Sequence, residues 1–425
     1  MNLVEKILAR ASGRTEVVPG DVVVANVDTL LLHDLSGYIT SRVFEKEVQK
    51  SMQYPERVVM VFDHHFSPPN EERARLLEAN REFAKRHGIN LFDCGSGNIH
   101  HVGVRNGFVR PGTIVVGSDS HTSVHGALGC FATGVGNNSH AAMMMPYGKT
   151  WFKVPETIQV KLHGEHKQSG VTPRDVALWL NGEIGEGGAV YKAIEFTGPY
   201  IKDLEMWDRW LFPLITIDLG GKCAYIEPDE KTVAFVKQMT NKPFDVVNSD
   251  PDTEYESVLE FDVSNLAPQI AASPTVGNVK SVEHFCGEPV HWAELGGHGG
   301  GRIEDIRQAA QILRGKKIAP GVKFNIVPSS REVFTQACHE GLVSVLHEAG
   351  CTWFPPSAGS NQAINMGAMS ATEAMISTHA RNFPGRNGSP DAKMYLGSAY
   401  TVAASALKGK VADPRQFLVE EVTVK

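Results

Sequence analysis

Paired cysteines are absent from this sequence. Its six cysteines, Cys94, Cys130, Cys223, Cys286, Cys338 and Cys351, are scattered, and no two stand in a CxxC spacing. That scatter argues against a disulfide framework and against a paired-thiolate metal site, and it suits a reducing, cytoplasmic compartment. No run of about 18 apolar residues occurs, so no segment reads as a membrane span. The opening MNLVEKILARASGR lacks the apolar stretch of a signal peptide and reads as an amphipathic helix. There is no basic excess either. The 41 Lys and Arg against 48 Asp and Glu leave a net charge of −7, which argues against a nucleic-acid partner. What is present is an ordinary globular composition, 42% hydrophobic and 21% charged, which excludes disorder and fibrous structure. At 425 residues the chain exceeds one ordinary core, so two or three domains are expected.

Apolar runs and helical periodicities alternate along the chain. Residues 3–11 read as a helix, 21–27 as a buried strand, 57–62 as a strand and 70–88 as a helix. The run 113–116 is a further buried strand, 322–327 another, and 333–349 reads as one helix ending at Gly350. This alternation predicts an α/β fold with parallel sheets, which hold ligands at the carboxyl ends of their strands. Residues 241–264 read as a polar surface excursion, and 270–286 hold a candidate domain boundary.

Four constellations carry chemistry. Asp63-His64-His65 closes the strand 57–62, and a carboxylate beside an imidazole suits proton transfer or metal ligation. A DHH triplet also occurs in manganese phosphoesterases, but the further Asp-rich motifs of that reading are missing. Gly95 to His101 places His100 and His101 after a glycine loop, a candidate for acid/base work or a solvated loop. Asp119-Ser120-His121-Thr122, with His125 one turn on, follows a strand and opens a helix whose N-terminus can hold a carboxylate. Arg381 and Arg386 sit in the Gly/Pro-bounded loop RNFPGRN, which suits bidentate carboxylate binding or an exposed surface loop.

Together, VVPGDVVVANVD, FDHH, GSGNIHHVG, PGTIVVGSDSHTSVHGALG, GGGRIEDIRQAAQILRGKKI and RNFPGRNGSPDAKMYLGSA resemble the aconitase superfamily over nearly the whole chain. The likeness is closest to its 3-isopropylmalate dehydratase and homoaconitase large-subunit branch. The resemblance implies three α/β domains around a central cleft, with 1–280 as domains 1 and 2 and 281–425 as domain 3. It implies that the swivelling fourth domain lies on a separate small subunit, so such a partner or a homo-oligomer is expected. By motif, Asp63, His64, His100, Asp119, Ser120 and His121 take catalytic roles, and Glu195, Arg381 and Arg386 bind substrate.

One departure bears on the metal. The family holds a four-iron, four-sulfur cluster with three cysteines, and His298, Ala358 and Asn361 fall at those positions here. The expectation is therefore a chain without a conventional cluster, since one stray thiolate cannot hold four irons in the usual way. Three replacements stay open. One is a single divalent ion (Zn, Fe or Mn) at His298, with His64 and His121 as co-ligands. The second is metal-free acid/base isomerisation. The third is a non-catalytic paralog that binds carboxylates. Survival of the Asp-His and Arg motifs favours changed chemistry over lost chemistry, and with it a lyase or isomerase acting on a small hydroxy-carboxylate.

Overall fold

The computed structural model of the chain describes residues 1–136, 139–166 and 168–418. Residues 419–425 lie outside the described residues. The chain forms two compact units. One comprises Met1–His163 and Glu186–Asp262; the other comprises Gly164–Gly185 and Val263–Lys425. Residues 263–280 thus group with the second unit, as does the segment carrying the helix Pro173–Ile184.

The first unit is built on a five-stranded sheet: β1 (Thr29–His33), β2 (Val58–Val61), β3 (Asn90–Phe92), β4 (Ile114–Gly117) and β5 (Phe131–Gly134). Its order is β3-β2-β1-β4-β5, and every pair is parallel. β1 reads TLLLH and is buried along its whole length, as a central strand covered on both faces requires. The chain winds outward to β3 on one side of β1 and to β5 on the other. The switch of direction falls between β1 and β4, where open parallel sheets have their ligand crevice. A second parallel sheet holds Thr157–His163, Ala193–Thr197, Cys223–Tyr225 and Ser257–Asp262.

The second unit has a seven-stranded sheet: β6 (Gln269–Ala272), β7 (Val279–Ser281), β8 (Trp292–Leu295), β9 (Lys323–Ile326), β10 (Thr352–Trp353), β11 (Ala374–Ser377) and β12 (Lys393–Leu396). The order is β7-β6-β12-β11-β8-β9-β10. β6 runs antiparallel to both neighbours, and the remaining pairs are parallel. Its core joins Ile306, Ala309, Ile312 and Leu313 of one helix to Val402, Ala403 and Ala406 of another.

Local signals explain most elements. Asn70 accepts from Arg73 N and starts the helix Glu71–His87, and Gly88 at φ 69° ends it. Several expectations change. The strand Val22–Asn26 is not buried: Val22 and Val24 are 58% and 55% exposed, because it pairs only with Lys149–Lys153 in a two-stranded ribbon. Residues 333–349 are two helices, Arg331–His339 and Leu342–Glu348, broken at Gly341 with φ 71°. The polar excursion contains an edge strand, Ser257–Asp262, whose face alternates half-buried and exposed. The segment after Asp119 is a 3-10 helix, Ser120–Leu128. No helix among the described residues is long and apolar enough to cross a membrane.

Candidate active site

The first unit places His33, His64 and His121 at or just past the carboxyl ends of three adjacent strands. Asp34, just past β1, is fully buried and accepts backbone N–H from Asp63 at 3.2 Å, His64 at 2.8 Å and His65 at 2.8 Å. The same carboxylate meets His65 Nδ1 at 2.6 Å. Asp34 therefore shapes the turn that follows β2. Within that turn Asp63 Oδ1 lies 2.7 Å from His64 Nδ1, and Asp63 Oδ2 accepts Ile99 N at 2.8 Å. A carboxylate on Nδ1 fixes the tautomer and directs Nε2 at whatever reacts or binds.

Past β4, Asp119 caps the 3-10 helix by accepting His121 N at 2.7 Å. The helix N-terminus expected to hold an external anion is thus occupied by Asp119 itself. Asp119 Oδ1 also lies 3.3 Å from His121 Nδ1 and 3.4 Å from His100 Nε2. His100 is placed by the Asn98 side chain, which caps its helix through His100 N at 2.9 Å. Ser120 is half-buried, with its hydroxyl 3.5 Å from His121 Nδ1. His33, at the end of β1, stacks on His64 with centroids 4.1 Å apart.

Burial and charge push these imidazoles in opposite directions. For His64 burial works against the charged form, but the charge and hydrogen bond of Asp63, with Asp34 and Asp119 beyond, prevail and raise it to about 9. For His33 burial dominates, and the neighbouring His64 adds to it, lowering the group to about 4. Burial, then His100 and His101, push His125 well below the usual range. Groups driven apart in this way are the signature of a site able to hold one acid and one base.

The second unit carries a different set. Glu294, inside buried β8, meets His379 Nε2 at 2.7 Å and accepts Ser360 N at 2.9 Å through the same oxygen. Burial opposes ionisation of Glu294, but the charge and hydrogen bond of His379 outweigh it and lower its pKa. Gly359 has φ 78°, and a side chain there would strike Glu294 and His379. His298 is 5% exposed in the glycine turn after β8, and Ala358 is fully buried. The side chain of Asn361 lies outside the described set. Cys351, the nearest cysteine in sequence, packs in the apolar core of this unit. Arg381 and Arg386 are half-buried on the loop after β11, which is tied down by Asn382 to the Ala271 carbonyl at 3.1 Å.

The structure therefore brings Asp63, His64, His100, Asp119, Ser120 and His121 together, with His33 and Asp34 added. Glu195 stands elsewhere in the first unit, hydrogen bonded to Gln159 at 3.2 Å and Tyr225 at 3.3 Å. His101 stacks on Trp207, with ring centroids 4.5 Å apart. His298, Arg381 and Arg386 belong to the second unit. Sequence reasoning missed His33 and Asp34, although the apolar run TLLL ending in His-Asp has the strand-end pattern of VFDHH. It also missed Glu294, an acid inside WAEL, where a buried strand demands a partner.

A family model described as the aconitase family (aconitate hydratase) matches residues 5–409. The probable 3-isopropylmalate dehydratase large subunit of Methanothermobacter thermautotrophicus is 40% identical over 415 residues, 97% of this chain and 99% of that protein. The 3-isopropylmalate dehydratase large subunit of Aquifex aeolicus is 38% identical over 427 residues, 99% of this chain and 98% of that protein. The probable methanogen homoaconitase large subunit of Methanothermobacter thermautotrophicus is 38% identical over 421 residues, 98% of each.

Proposed function

Because the chain belongs to the aconitase family, we propose that it is a hydro-lyase that removes water from, and returns it to, a small hydroxy-carboxylate of the 3-isopropylmalate type. The observation that supports this most is the meeting of Asp63–His64 with Asp119, His100 and His121 at the switch point of the first sheet.

Dehydration breaks one C–H and one C–O bond. A base takes the proton beside a carboxylate, and the departing hydroxide needs a proton or a Lewis acid. We assign proton transfer to His100 and His121, and to His64 either proton transfer or ligation of an ion. Asp63 holds His64 and Asp119 holds His121, so each ring presents a set nitrogen. Ser120 adds a hydroxyl beside His121. Arg381 and Arg386 are assigned to the substrate carboxylate, where a guanidinium makes paired, charge-assisted hydrogen bonds. Glu195 is assigned to substrate as well, on its motif alone.

We further propose that the reaction runs without a conventional iron–sulfur cluster. The side chains at the three ligand positions do not fit one: Ala358 offers a methyl group, His298 an imidazole and Asn361 an amide. A divalent ion is the replacement Lewis acid favoured here, since losing one without substitute costs more than about 10²-fold in rate. A small-subunit partner is part of the proposal, because the relatives are named as large subunits.

The test is hydration and dehydration of hydroxy-diacids by the full chain, alone and with its candidate small subunit, followed by ultraviolet absorbance of the unsaturated acid. Turnover that His121→Ala abolishes in a folded protein supports the reading. Absence of hydration in both directions would sink it. Activity that tracks iron and sulfide content would sink the cluster-free part alone.

A further inference from the structure

The sequence placed a metal at His298; the first unit by itself also contains a set of three ligands. One nitrogen of His33, one of His64 and one carboxylate oxygen of Asp119 lie within 4.8 Å of one another, and all three residues are buried. They come from the carboxyl ends of β1, β2 and β4, three neighbouring strands at the switch point. His33 is held by the sheet itself, and His64 and Asp119 stand on the short turns just past β2 and β4.

His33 Nδ1 is buried and has no hydrogen-bond partner among the described residues, on a residue only 8% exposed. A buried imidazole nitrogen without a partner has given up its solvation, which a ligated ion makes good. His64 already has its outer support. Asp63 holds Nδ1 at 2.7 Å, and Asp63 is fixed in turn by Ile99 N. A carboxylate behind a ligating histidine is how metal sites orient the ring and raise its basicity. Three buried carboxylates, Asp34, Asp63 and Asp119, face these imidazoles, which favours a bound cation.

We propose that His33, His64 and Asp119 bind one divalent transition ion. Two imidazoles and a carboxylate are the donors that Zn²⁺, Fe²⁺, Mn²⁺ or Co²⁺ accept, with open positions left for water or a substrate hydroxyl. Binding brings each nitrogen to about 2.0–2.1 Å of the ion and turns His33 out of its stack on His64. The proposal rests on the hydro-lyase reading only for what the ion does, as Lewis acid to the departing hydroxide; the site itself is independent of it.

The test uses the full chain stripped with chelator and titrated with Zn²⁺ or Co²⁺. The expected result is about one ion per chain, a Co²⁺ visible spectrum of low coordination number, and X-ray absorption of the zinc form showing imidazole ligands without sulfur. His33→Ala and His33→Gln abolish stoichiometric binding, Asp63→Asn weakens it by about 10–100-fold, and His298→Ala leaves it intact. X-ray absorption needs no variant, so the result does not depend on any variant folding. No stoichiometric binding, sulfur ligation, or binding lost in His298→Ala but kept in folded His33→Ala would overturn the site. Turnover of hydroxy acids without bound metal overturns the site and leaves the hydro-lyase reading standing. One ion at the site without turnover does the reverse.

Discussion

Glu294 and His379 are hydrogen bonded at 2.7 Å, 0% and 3% exposed, in the second unit. One carboxylate oxygen takes both His379 and Ser360 N, while the other is buried without a partner among the described residues. Removing one member of such a pair leaves an unpaired buried charge. His379→Ala is therefore expected to destabilise the second unit by about 3–5 kcal/mol. Replacing both, as in Glu294→Leu with His379→Leu, should cost less than the single change. Urea midpoints of the parent, His379→Ala and the double variant decide it; a double variant weaker than His379→Ala refutes the pairing argument.

Stability of the metal-free protein should peak near the ordinary histidine value. His33 is lowered to about 4 when folded, so between about 4 and 6.5 the unfolded chain binds more protons, and stability falls as pH drops. His64 is raised to about 9, so between 6.5 and about 9 the folded chain binds more protons, and stability falls as pH rises. His33→Phe should flatten the acid limb and Asp63→Asn the alkaline limb. Melting temperatures across this range, in chelator, are the measurement.

Gly126 lies in the 3-10 helix that carries His121 and His125, and a side chain there would run into the Ala224 carbonyl. The helix is pinned to that strand by Ile226 N to Gly126 O at 3.0 Å. Gly126→Ala should lower stability by about 1–3 kcal/mol, as overpacking does, and reduce turnover with it. Gly13→Ala, with open space around it, is the comparison. Gly13 stands at φ 73° and Gly126 at no positive φ, so Gly13→Ala reports backbone strain alone, and a Gly126→Ala protein as stable as the parent would refute the overpacking.

Arg381 and Arg386 should separate binding from chemistry. Lysine keeps the charge but lacks the planar fork, so either Arg→Lys change should raise KM for a dicarboxylate by about tenfold or more while kcat falls less. Steady-state kinetics with a dicarboxylate and its monoacid analogue test this. Equal loss for both substrates would remove the arginines from carboxylate binding.

Much of this was legible without coordinates. The runs 57–62 and 113–116 each end in an Asp-His group because a buried parallel strand is apolar until it reaches the crevice. The same logic covered helix 71–87, whose caps and period agree. It failed at β1, where TLLLH follows too closely on VVVANVD for one apolar stretch to be told from the next. It failed at 333–349, where a single glycine turns the chain without breaking the apolar period.

The sequence by itself determined which chemical groups exist: Asp and His at strand ends, two arginines in one turn, and no cysteine at positions 298, 358 and 361. Side-chain identity and strand periodicity are local properties, so one chain suffices to read them. Only the tertiary structure decided which groups meet. Strand order places β1 between β2 and β4, and that order brings His33 and Asp34 against His64 and Asp119. Pairing of distant segments, not local pattern, also set Glu294 on His379, 85 residues apart. Such pairings depend on packing and on charges that must be matched once buried, and no window of sequence contains both partners.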